Sequence, residues 1–268
     1  MHRIARRLDG LAGRRVERAD LRTPRLATHD LRGWRVEGCA AVGKHLLLRF
    51  DTADGPWTLH SHLRMQGNWT VLGPGKRLPR AVLATTRALL HLDDGRTLAA
   101  LDVPVLELVP TEEERRVVGH LGPDLLDPAL DVDAAAARLA VERRPLVEVL
   151  LDQRVLAGPG NLWAVEACFL RGAWPWLPAG DTDATAMVSL LVRMMRHSLE
   201  HATRMTTTGD RRRGRNHWVY GRAGRPCLRC GTPIAFRPAT GRPLAREVWW
   251  CPHCQAAPGG AALPAAAG

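Results

Sequence analysis

Leu151-Asp152-Gln153-Arg154-Val155-Leu156-Ala157-Gly158-Pro159-Gly160-Asn161-Leu162-Trp163-Ala164-Val165-Glu166-Ala167 is the stretch on which the fold turns. Upstream of it, Pro145 suits a first helical turn, and Leu146, Val149 and Leu150 continue at helical spacing. That helix cannot pass through Ala157-Gly158-Pro159-Gly160-Asn161, so a tight turn is expected there and a second helix from about 161 to 171. The free backbone N–H groups at such a helix start bind phosphate well. Asn161 stands at that start, either as a simple helix cap or as a ligand for DNA.

Working outward, Val188, Leu191, Val192, Met195, Leu199 and Ala202 mark a longer helix, and residues 133 to 141 a shorter one. Residues 204 to 217 carry Arg211-Arg212-Arg213 and Arg215 in polar surroundings, which predicts a mobile basic linker, ordinarily a solvated face. Beyond it, Cys227-x2-Cys230 and Cys251-x2-Cys254 have the spacing of four thiolates around one tetrahedral zinc. Ile234 to Arg237 and Leu244 to Trp250 read as the two strands of a zinc-pinned hairpin. Arg246 falls on the second, as an ordinary exposed arginine or as a phosphate clamp. A site closed by four cysteines leaves no open coordination position, so the zinc is expected to be structural. The Ala, Gly and Pro of the last dozen residues predict a disordered tail.

Toward the N-terminus, Ile4, Leu8 and Leu11 recur at helical spacing from the first residues. From about 34 to 108 the pattern shortens to alternating runs, including Lys44 to Asp51, Trp57 to Leu63 and Trp69 to Leu72, with Asp93-Asp94-Gly95-Arg96 as a hairpin turn. The expected class is α+β: a β-sandwich-like domain with a leading helix (1–110), a helical domain and basic linker (111–216), a four-cysteine zinc finger (217–255) and the tail (256–268).

The 268 residues carry a formal net charge of +11, which favours association with nucleic acid. A GC-rich gene would also enrich arginine, since lysine occurs only at 44 and 76. No run approaches the ~18 apolar residues of a membrane span, and the basic start lacks the apolar stretch of a secretory signal. Cys39 and Cys168 lie alone in apolar surroundings, which suits a cytoplasmic protein with buried thiols.

Together these motifs resemble the formamidopyrimidine-DNA glycosylase / endonuclease VIII family from residue 1 to about 255. The 151–167 run looks like its helix-two-turns-helix. Trp218-Val219-Tyr220-Gly221-Arg222, Pro226-Cys227 and Cys251-Pro252-His253-Cys254-Gln255 look like its zinc finger. Gly43-Lys44-His45-Leu46-Leu47-Leu48 and His60-Ser61-His62-Leu63-Arg64-Met65-Gln66-Gly67 match its β-domain motifs. The resemblance implies a monomeric repair enzyme acting in the bacterial cytoplasm, on nucleoid DNA, as glycosylase and abasic-site lyase. Its implied partner is duplex DNA containing oxidised bases, with a lean to pyrimidines, or abasic sites.

By position, Lys44 matches the lysine that contacts phosphate beside the lesion. Met65 matches the wedge that fills the gap left by an extruded nucleotide, a core or strand-edge methionine being the plainer reading. Asn161 and Arg246 match the two phosphate clamps. The implied nucleophile is an N-terminal proline amine followed by glutamate, but no Pro-Glu pair precedes the first helix. The expectation is a start placed late, with a GTG valine codon read as Met1. A noncatalytic protein that binds damaged DNA through Lys44, Asn161 and Arg246 is the alternative. A zinc ribbon of unrelated fold would explain the cysteines but not the ordered motifs before them.

Overall fold

A computed structural model describes residues 1–64, 66–201, 206–241 and 243–260, and the chain divides into two compact units, Met1–His120 and Leu121–Gly268. Met65 and residues 261–268 of the expected tail therefore lie outside the described residues; of the rest of that tail, Pro258–Gly260 forms a single 3-10 turn.

The first unit opens with α1 (His2–Asp9), followed by β1 (Val16–Leu21), β2 (Arg35–Val42), β3 (His45–Thr52), β4 (Gly55–His62) and β5 (Asn68–Leu72). A short α2 (Arg80–Thr85) leads to β6 (Thr86–Leu92), β7 (Thr97–Leu101) and β8 (Val105–Pro110). The strands form two antiparallel sheets, ordered β1-β6-β7-β5 and β2-β3-β4-β8. Because side chains alternate across a strand, Leu46, Leu48 and Phe50 point inward from one sheet and Leu90, Leu92 and Leu98 from the other, into one shared core. The buried Trp69 indole donates to Ser61 Oγ at 3.0 Å and ties the two sheets together. Ala5, Leu8 and Leu11 add the apolar stripe of α1 to this core, and Asp9 Oδ1 accepts the N–H of Cys39 beside a bulge in β2.

After a 3-10 turn at Thr111–Glu113 and a one-turn helix α3 (Arg115–Val118), the second unit supplies α4 (Val132–Ala140), α5 (Leu146–Val149), α6 (Asn161–Leu170) and α7 (Ala184–Glu200). Asp131 and Asp183 cap α4 and α7 through their carboxylates. Between α5 and α6 the chain turns at Gly158 with φ +110, a conformation that favours glycine, and an added Cβ would meet Met195 Cε at 3.1 Å. Gln153 fastens the turn by accepting the N–H of Gly158 at 2.9 Å and donating to Pro159 O at 3.0 Å. The two-stranded ladder of β9 (Ala235–Arg237) and β10 (Val248–Trp250) follows, and Ile234, Val248 and Trp250 share a core with Leu156, Phe169 and Leu191.

The segment expected to be a mobile linker is instead fastened at both ends of its described part. Thr206 Oγ1 donates to Asn216 O, and Thr207 Oγ1 donates to the carboxylate of Glu166. Glu166 is fully buried on α6 and also accepts the N–H groups of Trp218, Val219 and Tyr220 at 2.9, 2.8 and 2.8 Å. A carboxyl group with four donors converging on it is stable inside a core, whereas donors left without it incur a full desolvation cost. Replacing Glu166 with Ala is therefore expected to destabilise the protein by about 3 kcal/mol or more, read as a lower urea midpoint, with Glu166→Gln intermediate.

Candidate nucleic-acid interface and metal centre

In the second unit, the Sγ atoms of Cys227, Cys230, Cys251 and Cys254 all lie within 4.8 Å of one another. Cys227 and Cys254 are 4.0 Å apart, Cys230 and Cys251 3.4 Å. Four thiolates at about 2.3 Å from a tetrahedral zinc stand roughly 3.8 Å from each other, so the cluster is sized for such an ion. The N–H groups of Arg229 and Cys254 donate to the Sγ of Cys227 and Cys251, each at 3.4 Å, and so support sulfur as a charged ligand. Gln255 locks the second pair in place: its Oε1 accepts the N–H of Cys251 and its Nε2 donates to Ala173 O. The other two cysteines are unsuited to such work, because burial pushes the thiols of Cys39 and Cys168 up to about 12. His197, Glu200 and His201 also sit close together at the C-terminal end of α7, but all three are exposed and offer one ligand fewer.

Asn161 is the first residue of α6, and the N-cap is Gly160. The asparagine side chain does not cap its own helix. Its Nδ2 donates across 86 residues to Glu247 O at 2.8 Å, while its buried Oδ1 has no partner among the described residues. Arg246, next to Glu247, is exposed, and its Nη1 donates to the carbonyls of Pro243 and Ala245. The structure thus brings Asn161 and Arg246 to one place. Arg246 does not lie on a strand as the sequence suggested: the ladder starts at Val248, because Pro238 and Pro243 have no N–H to offer a partner strand.

In the first unit, Lys44 sits half-buried in the turn between β2 and β3, where Gly43 takes φ +56. Beside it, β3 and β4 pair His45 with His62 and Leu47 with His60, and β8 pairs Glu107 with His60. These side chains share the face of the sheet opposite the core, and the sequence reading assigned no role to the histidines. Their signal was present as equal parity on adjacent strands, but the register needed to read it was not.

His60, 3% exposed, shares a 2.8 Å bond with Glu107 Oε1 through Nδ1 and a 2.7 Å bond with His45 Nδ1 through Nε2. A carboxylate can only accept, so His60 Nδ1 carries the hydrogen, and His45 Nδ1 donates to His60 Nε2. The chain of bonds leaves His45 Nε2 as its acceptor end. The rings of His62 and His120 stand edge-on to His45 at 4.7 and 5.8 Å. Further along the same face, Arg49 grips Glu114 through two hydrogen bonds of 2.7 and 2.8 Å, and Thr58 donates to the same carboxylate. Burial opposes ionisation of Glu114, but these bonds outweigh it and hold the carboxyl below its ordinary range.

Burial, reinforced by His60, His62 and His120, lowers His45 from 6.5 to about 3, and burial also lowers His60 against the pull of Glu107. The unfolded chain then binds protons more readily than the native one below pH 6.5. Stability from this cluster is complete above that pH and is lost as pH falls toward 3. The urea midpoint is expected to drop steadily below pH 6.5 in the parent and less steeply in His45→Gln; identical profiles would show that His45 does not carry the effect.

Comparison with known proteins places these features in context. The sequence profile of the formamidopyrimidine-DNA glycosylase N-terminal domain matches residues 1–104. Over 258 residues the chain is 45% identical to probable endonuclease 8 2 of Streptomyces coelicolor, covering 95% of this chain and 91% of the relative. It is 40% identical over 257 residues to the DNA-(apurinic or apyrimidinic site) lyase Nei2 of Mycolicibacterium smegmatis, covering 96% of each. The fold matches that of Lactococcus lactis Fpg in complex with Fapy-dG-containing DNA, with a TM-score of 0.75 at 20% identity, over 95% of this chain and 97% of that one. Sequence and fold together establish that the chain belongs to the formamidopyrimidine-DNA glycosylase and endonuclease 8 family.

Proposed function

We propose that the protein is a base-excision-repair DNA glycosylase and abasic-site lyase that acts on oxidised bases in duplex DNA. The observation that carries this reading is the bond from Asn161 Nδ2 to Glu247 O, which ties the start of α6 to the residue that follows Arg246, in the same unit as a four-cysteine cluster. Its support is a relative 40% identical over nearly the whole chain that is named an abasic-site lyase.

In this reading Asn161 and Arg246 hold the DNA backbone from the second unit, and Lys44 holds a phosphate from the first. Met65, an unbranched apolar residue, fills the space left by the extruded nucleotide. Cys227, Cys230, Cys251 and Cys254 hold one zinc, which is structural because no coordination position stays open. When bound it supplies folding free energy on the order of 10 kcal/mol to a hairpin with only a three-residue ladder. The protein works as a monomer in the bacterial cytoplasm, on nucleoid DNA.

The proposed nucleophile is the amine of a proline followed by glutamate, a pair that does not occur in the 268 residues. The secondary amine attacks C1′ and loses its proton, the C1′–N bond to the base breaks, and the base leaves with a proton supplied by the carboxyl group; the C1′–O4′ bond then opens, O4′ takes a proton, and the nitrogen lone pair forms the C=N bond of an iminium. The resulting iminium acidifies the C2′ proton, whose loss expels the 3′ phosphate. Borohydride reduces that iminium to a stable amine, so it tests the reading directly on an abasic-site duplex. Trapping is expected for the protein extended to an upstream Pro-Glu start and not for the 268-residue chain. Trapping by neither, with tight binding to the lesion retained, would make this a damage-binding protein without chemistry.

A further inference from the structure

The sheet β1-β6-β7-β5 has a second face, turned away from the core, that the repair reading does not use. Alternation puts Arg18, Asp20 and Arg22 of the β1 edge on that face, with Leu89 and His91 of β6 and Thr97 of β7. The connector from β5 to β6 folds over it and carries Lys76 and Arg77. Between connector and sheet lies a pocket of about 640 Å³, within the range of pockets that hold small organic ligands.

Two features of its lining specify a ligand. Four cations, Arg18, Arg22, Lys76 and Arg77, face one carboxylate, Asp20. That carboxylate is already committed: Arg22 donates to Asp20 Oδ2 through Nε and Nη2 at 3.0 and 2.7 Å, and its Nη1 donates to Leu83 O at 2.8 Å. Arg22 therefore fastens the connector to the sheet, and Arg18, Lys76 and Arg77 remain as three charges without a carboxylate on the lining. Arg18 Nη2 donates to His91 Nε2 at 2.9 Å, and His91 Nδ1 in turn donates to Thr97 Oγ1 at 3.0 Å, so the guanidinium is aimed by a fixed floor. The apolar wall of the lining comes from Leu72 and Leu89 of the sheet and Leu78 and Leu83 of the connector, and Leu89 is buried although it stands outside the core of this unit.

Three cations and a leucine wall lining one pocket suit a molecule with a multiply charged anionic end and a flat, weakly polar body. We propose that this pocket binds a free nucleotide, with its phosphates on Arg18, Lys76 and Arg77 and its nucleoside against the leucines. Lys76 and Arg77 are exposed and lie on a connector, so replacing them removes charge without opening a core. The site lies within the first unit and shares no residue with Lys44 or its histidines, so it stands or falls independently of the glycosylase reading.

The test is calorimetric titration of the whole protein with ADP at low salt. Saturable one-to-one binding is expected, with adenosine and pyrophosphate each weaker by about tenfold or more. Lys76→Ala combined with Arg77→Ala, and separately Arg18→Gln, should each weaken ADP by about tenfold at an unchanged melting temperature. No saturable binding, or binding that these substitutions leave untouched, overturns the proposal. Pyrophosphate binding as tightly as ADP removes the role of the leucine wall. Displacement of ADP by a short undamaged duplex would assign the pocket to DNA and not to a nucleotide.

Discussion

A single buried carboxylate organises the second unit. Glu166 is the one charged residue of α6, and it sits where the helix is otherwise apolar on every side. Its oxygens collect the N–H groups of three consecutive residues, 218 to 220, and so fix the point at which the chain leaves the helices for the cysteine hairpin. Five residues earlier on the same helix, Asn161 reaches Glu247 O, just ahead of the far strand of that hairpin. One helix thus positions the hairpin at two places, and the cysteine cluster needs only to close the remaining loop. Arg222 continues the scheme by donating to Trp218 O and Pro226 O, which carries the order from Glu166 to Cys227.

The first unit solves a different problem. Its core is apolar and shared by two sheets, but the outer face of β2-β3-β4-β8 is filled by ionisable groups that satisfy one another: Arg49 with Glu114, His60 with Glu107, His45 with His60. Low local polarity makes each pairing obligatory, since any one partner left alone would carry the cost of burial. The strip ends beside Lys44, so the residue proposed to meet DNA stands next to imidazoles that are held neutral at physiological pH.

Features that depend on neighbours in the chain were legible beforehand. The Gly158-Pro159-Gly160-Asn161 turn, the paired cysteines and the Asp93-Asp94-Gly95 hairpin each express a local backbone or ligand requirement, and all appear where the spacing put them. Features that depend on distant partners were not. Residues 206 to 217 look like a solvated charge run, yet Thr207 and the start of the following loop are captured by a carboxylate some 41 to 54 positions away. Asn161 has the form of a cap, but its amide is drawn off by the carbonyl of Glu247, 86 residues on, and Gly160 takes the cap position. Arg246 lies ahead of the strand that its neighbours Val248 to Trp250 suggest, because the register sets Glu247 opposite Pro238, which has no N–H to extend the ladder. Glu166 left one legible trace, a lone charge in an apolar helix.

The central claim is that Asn161 and Arg246 act as one clamp because the Asn161 to Glu247 bond holds them together. A double-mutant cycle on duplex affinity, with Asn161→Ala, Arg246→Ala and both, measures that directly. A coupling of about 1 kcal/mol is predicted, because loss of the Asn161 tether already frees the Arg246 segment and leaves less for the second substitution to remove. Effects that add to within about 0.3 kcal/mol would mean that the two side chains bind independently, and would contradict the account.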